Sequence, residues 1–262
     1  MIYILIVLTS LLFSDSITSD IAFKKVLKKL EGTEVTKEYL VKIFSHPKVE
    51  KHVKILERFA APYEKKSWEQ YRKLFIKDSR ISAGANFYTE NRILINQVIQ
   101  YYKIDPFVLL SIAGIESNYG KHYKGFTVFS SLYTQIHDMP KRQKWATREL
   151  AAYIEYCFKD GVDPHQIEGS YAGAFGFGQF IPTSFNRYSV DFDNDGVRKP
   201  HDWPDVLGSI SNYLRKNGYK PNSSNYEKNG DIWRSIYAYN HSDNYTMAVL
   251  ELAEKLREKV KK

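Results

Sequence analysis

The stretch IDPFVLLSIAGIESNYG, residues 104 to 120, decides how the chain folds. Asp105-Pro106 is an N-cap followed by proline at the first helical position, so a helix is expected over residues 106–118. Leu109, Ile112 and Ala113 share one stripe of that helix, and Glu116 falls on the same stripe seven, four and three residues later. The apolar members mark the stripe as core. A carboxylate there is either partnered or desolvated, and desolvation raises its pKa toward values useful to a general acid. A glutamate in a fraying last turn could equally swing to solvent beside Gly120, so this helix alone leaves both readings open.

Outward from it, the 3.6-residue period recurs at 21–30, 37–44, 49–59, 68–75, 81–102, 145–158, 206–217 and 245–260. Alternating strand patterns are scarce. Short pieces near residues 188–192 could pair, which puts a small irregular or β element around 180–205. The expected fold class is mainly α, strictly α+β.

With 262 residues, the chain is long enough for one large domain or two modest ones. Hydrophobic residues at 43% and charged residues at 26% are ordinary for a globular protein. Aromatics reach 15%; they can fill a core or line a carbohydrate groove. A net charge of +8 favours a polyanionic partner, leaving nucleic acid, an anionic membrane surface and an acidic wall polymer open. The lysines are scattered through many helices and no base-reading motif is present, so nucleic acid is set aside. The single cysteine, Cys157, rules out an intramolecular disulfide and is expected in the core. No Cys/His cluster has zinc spacing.

The chain opens with MIYILIVLTSLLFSDSITSD. Residues 2–13 form a short apolar run, followed by small and polar residues that allow a cut before Ile17 or after Ser19. The run is short for a transmembrane helix, lacks a preceding positive charge, and no cysteine follows it for lipid attachment. Residues 1–19 are expected to be a signal peptide, with an uncleaved anchor as the alternative. The remainder, 20–262, is expected to be one catalytic unit with a helical N-terminal part (20–105) and a core (106–262).

A second feature weighs on Glu116. GSYAGAFGFGQFIPTSF, from residue 169, packs Gly169, Gly173, Gly176 and Gly178 among Tyr171, Phe175, Phe177 and Phe180. Glycines let backbone approach a ligand closely, and aromatic faces suit sugar rings. The pattern is not a phosphate loop, because no Gly-Lys-Ser/Thr ends it and no clear strand precedes it.

Taken in order, GIESNYG, GSYAGAFGFGQFIPTSF, YSVDFDNDG and YNHSDNYTMAV resemble the membrane-bound lytic murein transglycosylase B family. YRKLFIKDSRISAGANFY resembles that family's segment ahead of its catalytic helix, and the likeness runs over residues 23–252. The resemblance implies a lysozyme-like core and an enzyme that cleaves the β-1,4 bond between N-acetylmuramic acid and N-acetylglucosamine of peptidoglycan. The product would carry a 1,6-anhydromuramoyl end, and the location would be periplasmic. The family's single acid/base maps onto Glu116. No matching Asp or Glu occurs in the Gly-rich motif to serve as the second carboxylate of an ordinary glycosidase, which fits help from the substrate's own N-acetyl group.

Other roles carry over by resemblance. Ser170 would position Glu116; Gln179 and Phe180 would line sugar subsites; Asn240, beside Tyr239 and Tyr245, would hold the N-acetyl or oxocarbenium region. Tyr71 and Tyr213 would wall the groove, and Lys141 and Arg142 would meet substrate carboxylates, although the family more often has Arg at the first of these. A hydrolytic muramidase and a catalytically silent wall-binding scaffold are the rival readings. Glycan strands are the expected partner, cell-wall enzyme complexes are open, and a monomer is expected.

DFDNDG, residues 191–196, matches the opening of an EF-hand loop, with alternate carboxylates and a glycine for the bend. Position 12 is Asp202 where a glutamate usually closes the site, and the resemblance points instead to Asp205. The expected ligand set for a structural Ca²⁺ is Asp191, Asp193, Asp195, the Val197 carbonyl and Asp205. A solvated acidic turn is the alternative.

Overall fold

The computed structural model describes residues 17–60 and 66–261. The apolar run at 2–13 lies outside the described residues, so the leader assignment is not addressed by it. The elements, in chain order, begin with α1 (Ile21–Lys29), α2 (Lys37–Phe44), α3 (Val53–Ala60), α4 (Trp68–Phe75), α5 (Asp78–Glu90), α6 (Arg92–Tyr102) and α7 (Pro106–Ser117). Then come β1 (Phe126–Thr127), α8 (Val128–Asp138), α9 (Gln143–Lys159), β2 (Glu168–Gly169) and α10 (Pro182–Tyr188). The chain closes with α11 (Trp203–Lys216), α12 (Asp231–Tyr239) and α13 (Asp243–Val260). The protein is mainly helical, as its periodicity implies.

Two compact units interleave along the chain. The first comprises residues up to 60, Lys124–Phe175 and Phe180–Asn186; the second comprises 66–123, Gly176–Gln179 and 187–261.

In the first unit α9 lies along α8, α1 packs on both, and α3 packs on α8. β1 and β2 pair antiparallel, Phe126 opposite Gly169 and Thr127 opposite Glu168, and Ser170 follows β2 directly. Glu149 of α9 is fully buried, accepts from Arg148, and accepts the Thr183 N–H at 2.9 Å, which fixes the start of α10. Cys157 is buried and free, as expected of a core residue.

The second unit is built around α7. Asp105 Oδ1 accepts the Phe107 N–H at 2.8 Å, with Pro106 at the first helical position. The Asp105 carboxylate also accepts from Tyr226 Oη at 2.6 Å and from Arg257 of α13. Residues 108 to 115 are all buried, so α7 is covered on every side rather than on one stripe. Each fully buried Leu or Ile there contributes about 1.5–3 kcal/mol. α13 lies along α7, with α4 and α5 also packed on α13, while α11 packs on α6, α7 and α12.

The structure departs from the sequence reading at three places. The periodic run 81–102 is two helices, broken at Asn91, whose side-chain amide takes the Phe87 carbonyl at 3.0 Å. Residues 188–192 pair with no strand: Val190 N–H donates to Ser209 Oγ at 3.0 Å and Phe192 N–H to Asp205 Oδ1 at 2.8 Å. Helix side chains supply the partners a strand would have supplied, and the two-stranded sheet lies at 126–127 and 168–169 instead. Helix α8 was missed because its buried side carries Ser130, Ser131, Thr134 and Gln135. Thr134 Oγ1 donates to the Ser130 carbonyl at 2.7 Å and Gln135 Nε2 to that of Ser131 at 3.1 Å, so a polar face satisfies itself within the helix.

Candidate active site and acidic loop

Glu116 sits in the last turn of α7, and that turn does not fray. Asn118, Tyr119 and Gly120 follow with φ of 49°, 55° and 79°, three consecutive left-handed residues. Ser117 Oγ donates to the Ala113 carbonyl at 3.2 Å and accepts the Gly120 N–H at 3.0 Å, while His122 N–H donates to the Ser117 carbonyl at 2.8 Å. Left-handed backbone costs a non-glycine residue about 1–2 kcal/mol. Packing holds it here: the Tyr119 ring is buried, stacked on Phe87 with centroids 5.5 Å apart.

The Glu116 carboxylate turns to protein rather than to bulk water. Its Oε1 accepts from Tyr245 Oη at 2.5 Å. Burial raises its pKa from the ordinary 4.5 to about 7, and the Tyr245 hydrogen bond opposes that rise without cancelling it. The residue as a whole keeps partial surface exposure, while its carboxyl is desolvated. No other carboxylate among the described residues contributes to the shift.

Tyr245 is 1% exposed in the first turn of α13, where Ser242 caps the helix by accepting the Tyr245 N–H at 3.3 Å. The Tyr239 ring lies parallel to it, 1° from coplanar orientation and 6.5 Å between centroids. Tyr239 Oη donates to the Gly178 carbonyl at 2.5 Å, tying the end of α12 to the GFGQ turn. Tyr213 meets Tyr239 edge-on at 4.8 Å and donates to the Ala238 carbonyl at 2.6 Å. Tyr188, which sequence reading did not single out, extends the row at 4.5 Å from Tyr213. Burial pushes the Tyr239 and Tyr245 hydroxyls well above their usual range, and the Glu116 charge adds to both. These phenols therefore stay protonated donors at neutral pH.

Glu116, Tyr213, Tyr239, Asn240, Tyr245, Tyr71 and Gln179 all belong to the second unit. Asn240 ends α12 in extended backbone, partly exposed, with its side-chain amide making no hydrogen bond among the described residues. Gln179 occupies a left-handed position at φ 47°, and its Nε2 donates to the Gly176 carbonyl at 2.9 Å. One N–H and the carbonyl of that amide stay open to a ligand. Tyr71 is 6% exposed, buried against Phe75, so it offers little face to a groove.

Ser170, Phe180, Lys141 and Arg142 belong to the first unit. Ser170 Oγ accepts the Ala174 N–H at 3.1 Å, and Phe180 is buried with its carbonyl taking the Phe175 N–H at 3.0 Å. The Arg142 guanidinium lies over Trp145 at 4.2 Å and Phe59 at 4.6 Å, and its Nε donates to Gln135 Oε1 at 2.8 Å. Gln135 in turn donates to the Tyr171 carbonyl at 3.2 Å, so Arg142 braces the Gly-rich loop. Lys141 is exposed beside three lysines of α1.

In the acidic loop, Asp191, Asp193 and Asp205 present carboxylate oxygens within 4.8 Å of one another. Asp205, 2% exposed in the first turn of α11, is held by the Phe192 and Lys199 N–H groups at 2.8 and 2.7 Å. Burial raises its pKa, and Asp193 and Asp191 push the same way. Asp202 is not in the cluster, nor is Asp195, whose carboxylate is taken by Lys199 and by the Val197 N–H. Three converging carboxylates, one of them buried, are oxygen donors of the kind a hard divalent cation takes.

The model of the transglycosylase SLT domain matches residues 20–229. Over 153 residues the chain is 31% identical to the membrane-bound lytic murein transglycosylase B of Escherichia coli K12; the match takes in 58% of this chain and 42% of that protein's length. The soluble lytic transglycosylase SltB1 of Pseudomonas aeruginosa superposes with a TM-score of 0.83 at 25% identity, over 93% of this chain and all of that one. Escherichia coli Slt35, solved in complex with calcium, superposes with a TM-score of 0.82 at 22% identity, over 92% of this chain and 94% of that one. The fold is thus that of the lysozyme-like lytic transglycosylases, and the chain belongs to the transglycosylase SLT domain family.

Proposed function

We propose that the chain is a lytic transglycosylase of peptidoglycan, acting in the cell envelope on the periplasmic side, with Glu116 as its only acid/base. The carrying observation is the Glu116 carboxyl, raised to about 7 by burial and held by Tyr245 in a locked helix end. A group poised near neutrality can serve in both protonation states, as the two proton transfers require. Protonated Glu116 donates to the glycosidic oxygen as the bond to the muramoyl anomeric carbon breaks. The substrate's N-acetyl carbonyl covers the developing cation, and the Asn240 amide is assigned to that group by the family motif it occupies. The resulting Glu116 carboxylate then accepts the proton of the muramoyl 6-hydroxyl as its oxygen attacks the anomeric carbon. Water is not consumed, and Glu116 ends protonated as it began.

Tyr245 keeps the carboxylate oriented during the second transfer, and Tyr239 and Tyr213 offer ring faces beside Gln179 for the sugars. Ser170 is assigned to positioning Glu116, and Phe180, Lys141 and Arg142 to subsites, on the strength of the family motifs they occupy. Residues 20–262 act as one catalytic unit in this reading, as a monomer on glycan strands. Digestion of isolated sacculi followed by mass spectrometry is expected to give muropeptides ending in 1,6-anhydromuramic acid. Reducing ends alone would make the enzyme a hydrolytic muramidase, and no released fragments would leave a scaffold.

The acidic loop is proposed to hold a structural Ca²⁺ through Asp191, Asp193 and Asp205, with the metal taking no part in the chemistry. Millimolar calcium is expected to raise Tm by several degrees, since a site at 100-fold its Kd adds about 2.7 kcal/mol. Asp205→Asn should abolish that rise. A Tm equal in calcium and in chelator for the native chain would refute the site.

A further inference from the structure

The first unit carries a cationic cleft of which the proposed reaction uses only Lys141. Lys25, Lys28 and Lys29 lie three and four residues apart on α1, and Lys141, Lys144 and Arg148 follow the same spacing into α9. The two helices pack together, and the cleft between these stripes has a volume of about 730 Å³. Six of its nine lining residues are Lys or Arg, and none is Asp or Glu. All six are exposed, and only Arg148 has an acidic partner among the described residues, the buried Glu149 at 2.8 Å. Like charges at this spacing repel one another, so the arrangement is strained electrostatically until an anion lies against it.

We propose that this cleft docks the chain on an anionic phospholipid surface. Three features select a bilayer over other polyanions. The partly exposed Trp145 stands among the lysines, and tryptophan with flanking lysine stems is the combination that settles at headgroup level. The cleft's volume of about 730 Å³ leaves room for headgroup phosphates among the lysines. Only seven residues, 14–20, separate the apolar run at 2–13 from the start of α1. Where the apolar run is kept as an anchor, these residues at about 3.5 Å each reach no more than roughly 25 Å, so the bilayer lies within that distance of the start of α1. A polybasic patch adds electrostatic attachment to that of an apolar segment.

The test is sedimentation of the full chain with vesicles of phosphatidylcholine alone or with 30% phosphatidylglycerol, in low salt. Binding to the neutral vesicles reports the apolar run, and the excess on anionic vesicles reports the cleft. A variant carrying Lys25→Gln, Lys28→Gln, Lys29→Gln and Lys144→Gln should lose that excess. Each lysine near an anionic leaflet is worth about fivefold in partitioning, so the loss is on the order of a hundredfold or more. A control with Lys73, Lys216, Lys220 and Lys259 changed to Gln, all exposed in the second unit, should keep most of it. Salt at 0.5 M should release the native chain to the neutral-vesicle level. An unchanged melting temperature in the four-lysine variant shows that it is folded.

Equal binding of the native chain to neutral and anionic vesicles would overturn the proposal. So would equal losses in the two variants, which would reduce the effect to net charge. A variant that keeps its vesicle binding but loses binding to purified sacculi would assign the cleft to the wall polymer instead, also against the proposal.

Discussion

Glu116→Gln is expected to lower turnover on sacculi by about a thousandfold or more, because one carboxyl serves as both acid and base and each role is worth roughly 10²–10⁴. The same change should make the protein more stable at pH 8. The sign follows from the raised pKa: the folded state prefers the neutral carboxyl, whose pKa moves from 4.5 to about 7. Below about pH 4.5 the group is neutral in both states and costs nothing. As pH rises from 4.5 through 7, the unfolded chain ionises freely while the folded chain cannot, and stability falls. Above pH 7 the full penalty of roughly 2–3 kcal/mol is present, at about 1.4 kcal/mol per tenfold and reduced by residual solvent screening. Glutamine carries no charge to desolvate and still offers Tyr245 an acceptor. Denaturant unfolding of both proteins should therefore show curves that converge near pH 4.5 and separate by that amount at pH 8. A variant no more stable at pH 8 than at pH 4.5, relative to the native chain, would mean that Glu116 is solvated. Turnover within tenfold of native would remove it from the chemistry.

What the sequence made legible follows from where each signal resides. The helix of residues 106–117 carries its own cap, proline and apolar run, and its limits agree with those read from the pattern to one residue. Its glutamate was legible as an anomaly on an apolar stripe. What that glutamate does was not, because its partner Tyr245 is 129 residues away and no local pattern joins them. The lock on the helix end was equally hidden: Ser117 and Tyr119 read as ordinary polar and aromatic residues until their backbone conformations are known. Helix α8 shows the opposite failure, since a buried face of Ser, Thr and Gln erases the hydrophobic period on which the reading depends. In the acidic loop the motif gave the position, and the structure brings three of its carboxylates, Asp191, Asp193 and Asp205, together. Asp195 fits the pattern, yet a lysine four residues on takes its carboxylate, and a pairwise interaction of that kind is invisible to a spacing rule.

The second large effect concerns how Glu116 is held. The Tyr119 phenol occupies a notch made by two missing side chains. A Cβ at Gly114 would lie 2.5 Å from Tyr119 Oη and 2.7 Å from Cζ. At Gly84 of α5 it would lie 2.2 Å from the same hydroxyl and 2.6 Å from Leu256 Cδ2 of α13. Alanine at either position raises helix propensity by about 1 kcal/mol, but overpacking a filled core costs roughly 1–3 kcal/mol, and the ring cannot yield because Phe87 backs it. Gly84→Ala, pressed from two sides, should be the more damaging, with a net loss of about 2 kcal/mol and a Tm several degrees lower. Gly114→Ala should cost less stability but lower kcat, because Gly114 and Tyr119 bracket Glu116 in the turn that aims it. The Tyr119 hydroxyl is buried and has no hydrogen-bond partner among the described residues, so Tyr119→Phe removes the nearer of the two clashing atoms at little cost and leaves Cζ. Combined with Gly114→Ala it should restore part of the lost stability, a coupling of about 0.5–1 kcal/mol in a double-mutant cycle. Additive effects of the two substitutions would show that the notch does not hold the ring, and that the left-handed turn after Glu116 is maintained by Ser117 alone.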